Sequence, residues 1–348
     1  MKEHVIRGLD TDQMNDFITL NQGSGGKLTH RLIEDVFTKR FGMSEPLTDS
    51  AIIKDSTKLT SFTTDSYVVD PLFFPGGDIG KLAVCGTVND LAVSGAIPRY
   101  LSASFIIEEG LPVTDLVRIA ESMAEEAISA GVKIITGDTK VVEKGKCDKI
   151  FITTSGMGIL DPRFEHIGKG ERISQGDKLI INGPVGNHSL AVLGARNKLS
   201  FKTPIVSDCA SLNSLIRHVL ESSKEIYFMR DLTRGGLATV LNELAGMIKK
   251  GISVNETSIP VDDPVRGLCE MLGFDPLYLA NEGKILIVAG RSETDKVLKI
   301  MRSDPLGKNS EIIGEIVPDK RNLVLLNTSI GGKRILDMPS GIQLPRIC

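Results

Sequence analysis

Between two runs of strand character, Tyr100 to Ile107 and Val132 to Thr136, the chain carries one uninterrupted helical period. Over Val113 to Ala130 it sets Val113, Leu116, Val117, Ala120, Met123, Ala124 and Ala127 on one face, and Gly131 ends it. A strand, a covering helix and a second strand bury their apolar faces as layers, which points to an α/β (α+β) architecture. The alternation extends in both directions. A helix is expected over Leu28 to Phe41, a strand from Leu59 to Val69 ahead of Pro71, a helix after Gly77 and a strand over Ile150 to Thr154. Asp161-Pro162 then marks a turn, and Gln175-Gly176-Asp177 starts a new series with a strand over Lys178 to Asn182, alternating to about Leu326.

At 348 residues the chain exceeds the ~150 of an ordinary domain. The pattern predicts an N-terminal α/β domain over 1–160, a C-terminal α/β domain over 161–330, and a Pro- and Gly-rich segment, 331–348, with no helical or strand period. That segment reads as a mobile tail. Lys plus Arg (41) nearly balances Asp plus Glu (44), so no overall field attracts polyanions, and nucleic acid is not an expected partner. No stretch approaches the roughly 20 apolar residues of a membrane span. The five cysteines lie far apart without a zinc-type spacing, so the expected setting is a reducing, cytoplasmic one.

Several short motifs could carry chemistry. Gly23-Ser24-Gly25-Gly26-Lys27 precedes a helix and offers bare N–H groups to an anion, although it departs from the P-loop and dinucleotide patterns. Thr48-Asp49-Ser50, Thr64-Asp65-Ser66, Asn89-Asp90, Gly137-Asp138-Thr139 and Asp231-Leu232-Thr233-Arg234-Gly235-Gly236 bring acidic groups next to apolar runs. Each Asp alone could cap a helix or close a turn; together they suit a Mg²⁺–nucleotide site. Lys140 and Glu282 also flank apolar runs, where a solvated strand end is the ordinary role. The five His residues, His188 included, show no ligand spacing and read as surface or structural.

Cys348 is the last residue of the chain. The neighbouring carboxylate should raise its thiol pKa, Arg346 partly offsets this, and no prenylation signal is present. After a flexible linker, Leu344-Pro345-Arg346-Ile347-Cys348 reads as a presented arm; the twelve residues from Asp337 could extend roughly 40 Å.

Together these motifs, with Ser66 to Gly77, Asn281 to Lys284 and the final Pro345-Arg346-Ile347-Cys348, resemble the hydrogenase-maturation family HypE, carbamoyl dehydratases related to aminoimidazole ribotide and selenophosphate synthetases. The resemblance implies a two-domain ATP-binding fold like that of aminoimidazole ribotide synthetase, paired through its N-terminal domains into a homodimer, with a flexible C-terminal tail. It implies ATP and Mg²⁺ as cofactors, HypF as carbamoyl donor and the HypC–HypD complex as acceptor of the cyano group. Cys348, Lys140 and Glu282 would be catalytic. Gly25, Gly26, Lys27, Asp65, Asn89, Asp90, Asp138 and Asp231 would bind the nucleotide, with Asp49, Asp65, Asp90 and Asp231 on the metal. In this reading Lys140 and Glu282 lie next to the docked Cys348, Glu282 as base. The related synthetases and kinases act on diffusible substrates or carry a reactive residue where Ser24 stands, and a non-enzymatic carrier would leave the acidic motifs without a role.

Overall fold

A computed structural model describes residues 26–38, 48, 50–55, 58–196, 204–319, 321–339, 341, 344 and 346–348. Gly23, Ser24, Gly25, Asp49 and Pro345 lie outside the described residues. Helix α1 (Lys27–Leu32) runs on as a π-helical stretch, Ile33–Thr38. The first lobe continues with β1 (Ala51–Asp55), β2 (Lys58–Tyr67), the short β3 (Phe73–Phe74) and β4 (Gly77–Asp78), then α2 (Ile79–Val93) and β5 (Ala96–Glu108). Helix α3 (Val113–Ala130), β6 (Lys133–Val142) and β7 (Ile150–Leu160) complete it. Its five-stranded sheet has the order β1-β2-β7-β5-β6. Only the β5–β6 pair is parallel, and α3 makes the crossover that such a pair requires.

The second lobe contains β8 (Lys178–Ile181), α4 (Asn187–Ala195), α5 (Asn213–Ser222), β9 (Ile226–Asp231) and α6 (Gly236–Ile248). It goes on through β10 (Gly251–Asn255), α7 (Asp263–Leu272), β11 (Ile285–Ala289), α8 (Thr294–Ser303), β12 (Glu311–Val317), β13 (Val324–Asn327) and β14 (Lys333–Ile335). Its sheet runs β14-β13-β10-β12-β8-β11-β9 and is antiparallel except at β10–β13. Both sheets being mixed, the architecture falls on the α+β side of the expected class. None of the described helices is long and apolar enough to cross a membrane.

Helix α2 joins the lobes. It is apolar around most of its circumference, a pattern that suits only a helix covered on all sides. Leu82, Ala83, Val84, Cys85 and Val88 pack into the first core, whereas Ala92 and Val93 join Ile180, Leu212 and Ile285 in the second. Asp78 caps it, accepting from the N–H of Gly80 and of Lys81 at 2.7 and 3.2 Å.

Three expectations need correction. The buried face of α3 is Ile119, Met123, Ala127 and Ala130, while Val113 and Val117 are exposed; this helix carries more apolar residues than one face holds, and the sheet selects the stripe. Gly137-Asp138-Thr139 does not close a strand but lies inside β6, where Asp138 pairs with Ser104 of β5. Residues 333–335, placed in a segment without regular structure, form β14 against β13, and Leu336 behind them is fully buried.

Gly86 decides a sign. Gly→Ala within a helix ordinarily stabilises by about 1 kcal/mol, but a Cβ at Gly86 would stand 2.3 Å from the buried Tyr67 Oη. Gly86→Ala is therefore expected to lower the urea midpoint, and an unchanged or raised midpoint would show that Tyr67 can yield.

Candidate functional site

Glu282 sits on the turn between the short helix that ends at Tyr278 and β11, and local polar groups fix that turn. The Asn281 side chain accepts from Gly186 N–H (2.8 Å) and donates to the carbonyls of Leu232 and Leu279, both at 3.0 Å. Asn182 donates to the Gly283 carbonyl (3.0 Å) and accepts from Ile285 N–H (2.9 Å). Gly283 must be glycine, because a Cβ would lie 1.9 Å from the Asp208 carbonyl oxygen. Opposite, Asp231 ends β9, and Gly236 turns the chain into α6 with φ +61°, where a Cβ would stand 2.5 Å from Leu279 O. The Asp231–Gly236 and Asn281–Lys284 motifs are thus pressed together backbone to backbone.

Glu282 is 3% exposed, and its Oε1 has no hydrogen-bond partner. Burial, followed by the charges of Asp231, Asp65 and Asp208, pushes its pKa well above the usual carboxyl range, against the pull of Arg234. Cys348 lies against it: burial raises the thiol pKa strongly, Glu282 adds to this by charge and by a side-chain hydrogen bond, and Arg234 opposes. The Asp65 pKa is raised by burial, countered by Arg234 and by a 2.7 Å hydrogen bond from Ser66 N–H. Much of Arg234 is exposed, yet its charge interacts with Cys348, Asp65 and Glu282, and its pKa is raised by them. Asp90 accepts from Thr63 Oγ1 at 2.8 Å and adds to the negative field at Tyr67.

Of the expected site residues, Asp65, Asp231, Glu282 and Cys348 come together directly, with Asp90 contributing to the same field. Asn89 is employed differently. It donates to Ala210 O (3.0 Å) and accepts from Leu212 N–H (2.7 Å), so it ties α2 to the second lobe. Gly26 and Lys27 meet the C-terminal segment: Lys27 N–H donates to Pro339 O at 3.2 Å, and a Cβ on Gly26 would lie 2.1 Å from that oxygen. Lys140 projects from β6, 68% exposed, and pairs with Asp138 at 2.7 Å; the largest charge effects on Cys348 come from Glu282 and Arg234. Arg234 was not singled out in the sequence, though it stands inside the Asp231–Gly236 motif. Asp208, paired to Lys284 at 3.1 Å with one oxygen unpartnered, had no motif to mark it.

The terminal residues dock between the lobes. Ile347 is buried, Val68 N–H donates to Cys348 O and Asp70 N–H to Arg346 O, both at 3.3 Å. The Arg346 side chain donates to Val68 O at 3.2 Å and pairs with Asp148.

This pairing of lobes around a buried acidic cleft matches two family models, the AIR synthase related protein N-terminal domain over residues 47–160 and the corresponding C-terminal domain over 174–326. The chain is thus an AIR synthase related protein. Within that class it is 49% identical to the carbamoyl dehydratase HypE of Rhodobacter capsulatus, over 95% of this chain and 98% of that protein. The HypE chain of a HypE–HypF complex superposes with a TM-score of 0.83 at 49% identity, covering 88% of this chain and 99% of that one. A HypE in complex with ATP gives 0.80 at 45% identity, covering 95% and 100%. The chain belongs to the HypE family of carbamoyl dehydratases, and it is an enzyme.

The raised Glu282 pKa carries a sign for stability. The folded chain holds the Glu282 proton more tightly than the unfolded chain does, so this contribution is full below the ordinary value of 4.5 and is lost as pH rises through the raised one. Urea unfolding from about pH 5 to about pH 8 should find the unaltered protein losing stability relative to Glu282→Gln. Parallel profiles would mean that Glu282 ionises without cost.

Proposed function

We propose that the chain dehydrates an S-carbamoyl group on its own Cys348 to S-cyanocysteine, using ATP with Mg²⁺, to furnish cyanide ligands for nickel–iron hydrogenases. One observation carries this reading: Cys348 is docked against a buried carboxyl, one of whose oxygens has no hydrogen-bond partner. HypF as donor is supported by the HypE–HypF relative, and ATP by the relative crystallised with it. The HypC–HypD complex as acceptor follows from the family resemblance. The division at residues 160 and 330 is supported by the first sheet ending at Leu160 and β13 at Asn327.

Among the described residues no three His, Cys, Asp or Glu side chains form a metal cage by themselves. Mg²⁺ ordinarily takes one or two carboxylates and completes its shell with water and phosphate oxygens. Asp65, Asp90 and Asp231 are proposed to share that role, one or two binding directly and the rest through the ion's water shell, since their charge accumulates around Tyr67 and Glu282. Asp49, outside the described residues, is proposed as a fourth ligand, and Gly25, Gly26 and Lys27 as phosphate contacts. Bound ATP supplies the phosphoryl group that turns the carbamoyl oxygen into a leaving group. Glu282, in its ionised form, would take one N–H proton as the carbamoyl oxygen accepts the phosphoryl group and release it to solvent, then take the second as the C–O bond breaks, the C≡N triple bond forms and the oxygen departs with phosphate; when ionised, a carboxyl with a raised pKa is the stronger base. Arg234 offsets negative charge beside the reacting carbon. Ile347, buried next to Cys348, would help to keep water from the activated carbamoyl group.

Purified protein incubated with HypF, carbamoyl phosphate and ATP should gain a carbamoyl group and then lose one water, both on the C-terminal peptide. Cys348→Ala should gain nothing, and Glu282→Gln should halt before the loss of water. A label on another cysteine with Cys348 unmodified would remove the proposal.

Homodimerisation is supported by the apolar side chains that the first sheet leaves exposed, Phe62, Tyr100, Ile135, Val141 and Met157 among them. Lys140 and Asp138 stand on the strand such a pairing would cover, which ties their contribution to dimer formation. Ile135→Glu with Val141→Glu should give monomers by light scattering and lose turnover. A stable dimer in that double variant would move the interface elsewhere.

A further inference from the structure

The main-chain oxygens of Arg346, Ile347 and Cys348, the last belonging to the terminal carboxylate, face two sides of the segment. Those of Arg346 and Cys348 face the segment after β2 and accept from Asp70 N–H and Val68 N–H. The Ile347 carbonyl points the other way, into the second lobe, where burial without a donor would be costly. It meets His188 Nε2 at 2.9 Å.

His188 is fully buried on the first turn of α4, edge-on to Phe74 with ring centroids 5.4 Å apart. Its proton position follows from the network. Cys209 N–H donates to Ser207 Oγ (3.1 Å), so the Ser207 hydroxyl is free to donate to His188 Nδ1 (2.7 Å), leaving the hydrogen on Nε2 to reach Ile347 O. Burial keeps the ring neutral by lowering its pKa. The start of α4 is also bound to the catalytic turn. Gly186 N–H donates to Asn281 Oδ1 (2.8 Å), and Ser189 donates to Ala280 O through both its N–H (3.3 Å) and its hydroxyl (3.0 Å). At the far end of the helix, Arg196 donates to Arg346 O at 2.6 Å and to Asp70 O at 2.7 Å.

We propose that His188 is a positioning residue: by donating to the Ile347 carbonyl from a helix anchored on Asn281, it sets the docked tail in register with Glu282. The inference rests on the dehydratase reading above. Recognition through main-chain carbonyls is indifferent to the group on the Cys348 sulfur, so the same clasp serves the carbamoylated and the cyanated tail. Ile347 completes the fit by packing beside Val192, Cys209 and Ala280.

Gln and Asn separate this role from simple packing. The Gln amide nitrogen can reach the position of Nε2 and donate to Ile347 O, whereas the Asn amide matches only Nδ1. The primary measurement is the alkylation rate of Cys348 by iodoacetamide in full-length protein, followed on the C-terminal peptide, which requires neither HypF nor turnover. His188→Asn should alkylate about tenfold faster, the equivalent of ~1.4 kcal/mol for a lost hydrogen bond. His188→Gln should return to within about twofold of the unaltered rate. After carbamoylation, single-turnover loss of water at saturating ATP should slow in His188→Asn and recover in His188→Gln. Urea midpoints for both variants report folding independently. Equal alkylation in His188→Asn and the unaltered protein overturns the proposal, as does failure of Gln to rescue when its urea midpoint matches that of Asn. If the unaltered protein forms no cyano group, the dehydratase reading fails, while the alkylation rates still decide whether His188 holds the tail.

Discussion

A carboxyl group buried with an oxygen left unpartnered, and with three aspartates in its field, is costly to hold, and much of the surrounding structure acts to hold it. Left to itself Glu282 would relax toward water. It is prevented by Asn281 and Asn182, which bond the backbone on either side of it, and by Gly283, which lets the chain touch Asp208. Compensation is partial: Arg234 stands nearby, and Lys284 neutralises Asp208 at 3.1 Å. What remains is a group with high proton affinity in a fixed position, as proton abstraction from a weakly acidic nitrogen requires.

Two devices tie the lobes together around this group. One is permanent: α2 places apolar residues in both cores, and Asn89 bonds across to Ala210 and Leu212. The other is the tail itself. Its final residues add to the edge at Val68 to Asp70 on one side and accept from α4 on the other, so the substrate carrier is also part of the seal. A main-chain clasp of this type holds by several hydrogen bonds, each worth about 0.5–1.5 kcal/mol net. In the proposed reaction, that suits a segment which would also have to leave to meet a carbamoyl donor.

The reading of the chain succeeded where local physics decides. Helix α3 begins and ends at Val113 and Ala130 as its period and Gly131 indicate, and β8 starts at Lys178 as expected. It failed where two apolar stripes competed, since only the sheet beneath α3 distinguishes Ile119 from Val117. It failed again at 333–335, three residues without alternation that become a strand because β13 offers an open edge.

By itself the sequence determined the α/β alternation, the family and the motifs that converge near Glu282, because glycine turns, apolar periods and acidic clusters act over a few neighbouring residues. Tertiary structure alone decided what each polar group does. Asn89 became a tie between lobes rather than a free amide, Lys140 a solvent-facing partner of Asp138, and His188 a buried donor to Ile347. The physical reason is that local spacing does not report surroundings: the partners of Asn89 and His188 lie 121 to 159 residues away, the partner of Lys140 only two, and folding alone reveals whether a polar side chain meets water, a nearby charge or a distant carbonyl.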